Sequence, residues 1–165
     1  MTLSRRAALK MGVAALGSLS GGGAAFADAK TLTFGGFVPM SGKDSATGLD
    51  VYEGYKVAVK YINEQLGGAK IAGQTYKLAL QLFDDASDPL RATTLIQKQV
   101  DDGTDFFLSS LSSPIVLPTA AITERAKKPM VQAGGGADQI FTRHFRYVFG
   151  MYPRASRQLI SLVAC

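Results

Sequence analysis

Residues 75–110 read "TYKLALQLFDDASDPLRATTLIQKQVDDGTDFFLSS", and the change of period within this stretch decides the fold class. "TYKLALQLFDD" (75–85) alternates in the two-residue period of a strand. "SDP" then places Asp88 as a helix N-cap and Pro89 at the first helical position, where a missing N–H costs nothing. From Pro89 to about Asp102, Ala92, Leu95, Ile96, Gln99 and Val100 share one helical face, and "DDG" stops the helix. "TDFFLSS" (104–110) resumes as a short apolar strand. Strand, helix and strand in this order make a βαβ unit, which pairs its two strands in parallel.

The same alternation extends in both directions. Upstream, "TLTFGGFVPM" (31–40) is a strand running into the polar loop "SGKDSATG" (41–48). A helix follows from about Leu49 to Leu66, because Val51, Tyr55, Ala58 and Ile62 recur at helical spacing and "GG" at 67–68 ends it. Downstream come a helix to about Lys127, a strand in "KPMVQA" (128–133), a strand in "FRYVFG" (145–150) and a last helix from near Pro153. The expected fold is α/β: a doubly wound, open parallel sheet with helices on both faces. Ligands of such sheets sit beyond the carboxyl ends of the strands. Three loops therefore carry the candidate site: 41–48, 109–113 and 133–138, all rich in small residues.

Composition narrows the function classes. The chain has 165 residues, 47% hydrophobic and 19% charged, with a formal charge of +5. Residues 1–27 hold three of the 18 bases and none of the 13 acids, so the rest has 15 bases against 13 acids. That balance, with "KK" at 127–128 as the only adjacent lysine pair, gives no nucleic-acid footprint. Cys165 is the only cysteine and His144 the only histidine, which leaves neither an internal disulfide nor a His/Cys zinc cluster.

The opening "MTLSRRAALKMGVAALGSLSGGGAAFADA" has a basic start, a Gly/Ala/Ser-rich apolar run and a terminal "AFA". This is the layout of a secretory signal ending at Ala27, which makes 28–165 the mature domain and the periplasm its destination. Arg5 and Arg6 in "SRRAALK" resemble the twin-arginine export motif. A membrane anchor fits less well, since residues 11–27 are short and weakly hydrophobic.

The serines after the third strand, "FLSSLSSPIVLP" (107–118), have two readings. In one, Ser112 or Ser113 caps the next helix, Pro114 opens it, and Ser109 and Ser110 are solvated. In the other, a hydroxyl joins the unpaired amides of the helix N-terminus in holding a small anion such as a carboxylate. One serine can serve either task. Pro118 lacks a donor that a regular helix would use, so an irregular first turn is expected.

Five segments together, "VPMSGKDSATG", "YINEQLGG", "LQLFDDASDPLRA", "DGTDFFLSSLSSP" and "KPMVQAGGG", in this order and spacing from Thr31 to Gln158, resemble the first lobe of the periplasmic solute-binding proteins of branched-chain amino acid ABC importers. The resemblance implies a binding protein without catalytic residues, cofactor or metal. Its ligand would be a small amino acid or a related carboxylate or amide, and its partner a membrane permease. It further implies that Ser113, with Ser112 beside it, meets the ligand carboxylate, and that Gly134, Gly135 and Gly136 offer backbone contacts. Thr47 stands where relatives often place an aromatic ring over the ligand. Some relatives carry a disulfide at the positions of Ser87 and Ser112, which this chain lacks. Relatives have two lobes, whereas removal of a 27-residue leader leaves 138 residues ending in "RQLISLVAC". The expectation is a first lobe only, a truncated form or fragment.

Competing motifs fit poorly. "SSLSSP" is not a G-x-S-x-G elbow, and "GGGADQ" matches neither a dinucleotide fingerprint nor a P-loop. Asp84 and Asp85 are read as a solvated acidic loop, not the acidic pair of a phospho-receiver. A sensory module of the same fold is the alternative function, though such modules normally precede a transmembrane helix and a signalling domain.

Overall fold

The computed structural model describes residues 30–158 and 160. The expected leader, 1–27, and most of the expected last helix lie outside the described residues. Ten principal elements alternate along the chain: β1 (Lys30–Val38), α1 (Ser45–Glu64), β2 (Ala69–Ile71), β3 (Gln74–Asp84), α2 (Pro89–Asp101), β4 (Phe106–Leu108), α3 (Ser113–Arg125), β5 (Met130–Gln132), α4 (Asp138–Thr142) and β6 (Val148–Gly150). A short 3-10 turn follows at Ala155–Arg157.

The six strands form one sheet in the order β2-β3-β1-β4-β5-β6. All neighbours pair in parallel except β2, which runs antiparallel to β3. From β1 the chain steps one way to β3 and then the other way through β4, β5 and β6. Right-handed crossovers therefore put α1 on one face and α2, α3 and α4 on the other. Packing agrees: α1 lies on β3 and β1, while α2 contacts α3 and β1, and α3 contacts α4, β5 and β6.

The core lies on the face covered by α2 and α3. Phe37, Ala92, Ile96, Phe107, Ile115, Ala120 and Met130 form one buried cluster. The predicted α2 face is correct, and Asp88 caps it as expected, its Oδ1 accepting from Leu90 N (2.7 Å) and Arg91 N (2.9 Å). Gln99 on that face is buried, and its Nε2 donates to the Gly36 carbonyl at 3.0 Å.

Two expectations are corrected. Helix α1 begins at Ser45, four residues early, and Val59 takes the half-buried place assigned to Ala58, which is exposed. Its stripe meets only one side of a sheet, so Val57 (65%) and Tyr61 (55%) remain exposed. Around Pro118, α3 runs unbroken from Ser113 to Arg125. The proline removes a single donor six residues in, and the irregularity falls on Ser112, whose φ is +68°.

Candidate functional site

Because β1, β3, β4 and β5 run in parallel, their carboxyl ends share one edge, and the three predicted loops gather there. A pair of aspartates at the end of β3 organises this edge. Asp84 Oδ1 accepts from Met40 N (2.8 Å), Ser41 N (3.0 Å) and Ala86 N (2.9 Å), and its Oδ2 accepts from the Ser41 hydroxyl at 2.6 Å. Burial works against its ionisation, but the Ser41 hydroxyl and the three amides outweigh that effect and hold its carboxyl below the usual range.

Asp85 is fully buried and turned the other way. Its Oδ2 accepts from the Ser110 hydroxyl at 2.5 Å, and its Oδ1 accepts from Ser87 N at 2.8 Å. Burial pushes this carboxyl above the usual range, against the two hydrogen bonds, and the charges of Asp84 and Asp44 push the same way. The reading of 84–85 as a solvated acidic loop is thus overturned. The pair ties loop 41–48 and the end of β4 to the end of β3.

Ser109 and Ser110 are likewise not solvated, each being only 1% exposed. The Ser109 hydroxyl donates to the Ser110 carbonyl (3.2 Å) and accepts from Ala133 N (3.3 Å), while Ser110 serves Asp85. Tyr55 of α1 reaches the same loop, its hydroxyl donating to the Ser109 carbonyl at 3.2 Å. These four serines therefore divide into an inner pair that builds the loop and an outer pair, Ser112 and Ser113, at the N-terminus of α3.

Ser112 occupies the N-cap position, but its side chain makes no capping bond; its carbonyl accepts from Ile115 N (3.2 Å) and Val116 N (3.0 Å). A non-glycine residue at φ +68° and ψ 136° is held away from its preferred backbone region. Ser113 does not cap either. Its Oγ accepts from Ala137 N at 2.9 Å, across the gap to the third loop. A hydroxyl that accepts in this way still has its own hydrogen to donate. Among the described residues the Ser113 N–H has no acceptor, Pro114 has no N–H, and Ile115 N is turned back on Ser112. The helix end thus offers two donors on one residue, the amide and the hydroxyl of Ser113.

Loop 133–138 lies directly alongside. Leu111 and Gly134 form a parallel bridge, and Ser112 N donates to the Gly134 carbonyl at 3.2 Å. The three glycines differ in what they face. A Cβ on Gly134 would lie 2.6 Å from the Ser110 carbonyl oxygen, and one on Gly135 would lie 2.5 Å from Ile140 Cδ1 and 3.0 Å from Val116. Close approach of backbone and core explains both. Gly135 N donates inward to Gln132 Oε1 at 2.8 Å. Gly136 faces Tyr152 and Gln158, and its carbonyl accepts from Ala155 N at 2.7 Å.

The structure therefore joins Ser112 and Ser113 to Gly134, Gly135 and Gly136. Thr47 sits in the first turn of α1 on the same edge and is exposed, with no hydrogen bond joining it to the other five. Sequence reasoning missed Asp85, Tyr55 and the segment 152–158. A tyrosine inside an apolar helical stripe was the one available signal, because a buried hydroxyl needs a partner.

Comparison with known proteins identifies the family. A family model described as periplasmic binding protein matches residues 31–164, and the chain belongs to that family. The Leu/Ile/Val-binding protein homolog 1 of Brucella abortus is 29% identical over 117 residues, covering 71% of this chain and 29% of the relative. The leucine-specific-binding protein of Salmonella typhimurium is 30% identical over 111 residues, covering 66% of this chain and 28% of the relative. An ABC transporter substrate-binding protein from Desulfitobacterium hafniense, solved in complex with Leu, superposes with a TM-score of 0.66 at 26% identity, over 82% of this chain and 39% of that one. A leucine-binding protein from Thermotoga maritima shares the fold, with a TM-score of 0.68 at 21% identity over 81% and 36% of the two chains. The chain thus spans less than a third of the length of the curated relatives it matches.

Proposed function

We propose that this chain is the first lobe of an extracytoplasmic amino-acid-binding protein serving an ABC importer, and that Ser113 holds the carboxylate of a branched-chain amino acid. The observation that carries this reading is the pair of uncommitted donors on Ser113, amide and hydroxyl, beside loop 134–136 at the carboxyl edge of a parallel sheet. Asp84 and Asp85 on this edge are both engaged elsewhere, and Asp138 beside the entrance is bonded to the Ser156 hydroxyl. The relatives named for leucine, isoleucine and valine binding support the choice of ligand. The lobe supplies one half of a clamp; the permease is the downstream partner, the reading includes no catalytic step, and export follows the basic leader.

The test is Ser113→Ala, with leucine binding followed by amide shifts in the full chain. A hydrogen bond to a charged group contributes about 1.5–3 kcal/mol, so a tenfold or greater weakening is expected. If leucine, isoleucine and valine produce no saturable shift at Ser113 in the parent chain, the reading fails.

A further inference from the structure

Behind the glycine loop lies a small cavity of about 120 Å³, walled by Phe141 and His144 of the α4 region, Gly150 of β6, and Arg154. Two donors in and beside it lack partners among the described residues. The Arg154 guanidinium rests 5.2 Å above the centre of the Phe141 ring and makes neither a hydrogen bond nor an ion pair among the described residues. Gln132 is fully buried, and its Nε2 has no acceptor among the described residues, although its Oε1 takes Gly135 N. That Nε2 lies 3.2 Å from the point a Cβ on Gly150 would occupy, and Phe141 Cε1 lies 2.5 Å from the same point, so the amide stands against the wall those two residues form. A buried donor left unpaired carries the full cost of its lost hydration.

The local charge has one sign. Residues 139–165 contain four arginines, one histidine and no acid. The two carboxylates on elements framing the cavity are occupied: Glu124 accepts from Arg146 N (2.9 Å) and Tyr147 N (2.7 Å), and Asp138 accepts from the Ser156 hydroxyl at 3.0 Å. Nothing among the described residues neutralises Arg154.

We propose that this cavity is a binding site for a small oxyanion such as inorganic phosphate, held by Arg154 and His144, with the unpaired Gln132 amide behind the wall that Gly150 and Phe141 form. A guanidinium suits an oxyanion because its fork of N–H donors matches two oxygens. A volume of about 120 Å³ suits a free ion better than a bulky phosphate ester. The site is separate from the Ser113 edge, so the proposal stands or falls independently of amino-acid binding.

The experiment titrates inorganic phosphate into the 15N-labelled full chain at constant ionic strength, set with sodium chloride. The Gln132 side-chain amide and the Gly150 backbone amide are expected to shift saturably. Arg154→Gln, a substitution at a partly exposed position, is expected to weaken the response at least tenfold while leaving the rest of the spectrum in place, and His144→Gln to weaken it less. A response absent in the parent chain, equal in sodium chloride alone, unchanged in Arg154→Gln, or reproduced by glycerol phosphate at the same strength would overturn the proposal.

Discussion

Replacing Asp85 by alanine separates two opposing effects that meet at one buried carboxylate. The substitution leaves the Ser110 hydroxyl and the Ser87 amide without their acceptor. A buried donor stranded in this way costs about 1–3 kcal/mol, so two cost about 2–6 kcal/mol. Against this, the variant no longer buries a negative charge that has two acids near it and, among the described residues, no cation beside it. The balance expected at neutral pH is a loss of about 2–3 kcal/mol. The pH dependence has a definite sign. A carboxyl raised by folding favours its protonated form, so its contribution to stability is complete below the unfolded value of about 3.9 and is lost as pH rises through the folded value. The gap between parent and variant is therefore wider at pH 4 than at pH 7. Asp85→Asn keeps an acceptor for Ser87 and a group that can bond Ser110 while removing the charge, so it is expected to match or exceed the parent at pH 7. Urea unfolding followed by far-UV circular dichroism at both pH values measures all three. A loss under 1 kcal/mol that does not change with pH would refute the reasoning.

Asp88→Ala removes the acceptor of two α2 amides and is expected to cost about 0.5–2 kcal/mol, read as a fall in the urea midpoint. Gly134→Ala drives a Cβ against the Ser110 carbonyl and Leu111 Cα, and a drop of about 1–3 kcal/mol in stability is expected by thermal melting. Asp84, whose carboxyl is lowered, stabilises the fold above its unfolded pKa and loses that contribution as pH falls through the folded value. A fall in the hydrogen-exchange protection factors of the Ser41 and Ala86 amides on acidification below pH 4 is the expected sign, and equal protection throughout would count against it. Changing Arg5 and Arg6 together to Lys is expected to stop export through a twin-arginine route; undiminished periplasmic product would refute the twin-arginine reading of residues 1–27.

The parts of this fold that sequence disclosed are those whose period is long enough to read. Helix α2 has a cap, a proline, a stripe and a stop, and it lies where all four place it. β2 was hidden because its hairpin turns on Ala72 and Gly73, both at positive φ, without the Asn-Gly or Asp-Gly pair that usually marks such a turn. α4 was hidden because its five residues are too few for a helical pattern. At the site, the order of loops along the edge was legible, since it follows from parallel pairing alone. The inward turn of Ser109, Ser110 and Asp85 was not, because polarity gives the same signal whether a side chain is hydrated or satisfied by a buried partner. The place of the outer serines at the entrance of α3 was legible, but their division of labour depends on the backbone angle at Ser112, which local sequence does not encode.

The stitching of the α3 entrance to the glycine loop has a consequence for how these residues can vary. Ser112 N bonds the Gly134 carbonyl, Ser113 Oγ takes Ala137 N, and Ser109 Oγ takes Ala133 N, so three links bind two segments more than twenty residues apart. Substitutions on opposite sides of this seam share partners, and their free energies will not add. A change at 113 alters what is tolerated at 137, and a change at 134 alters what is tolerated at 112. The two loops are therefore one unit of inheritance: a descendant of this chain that alters one segment must alter the other with it or lose the seam.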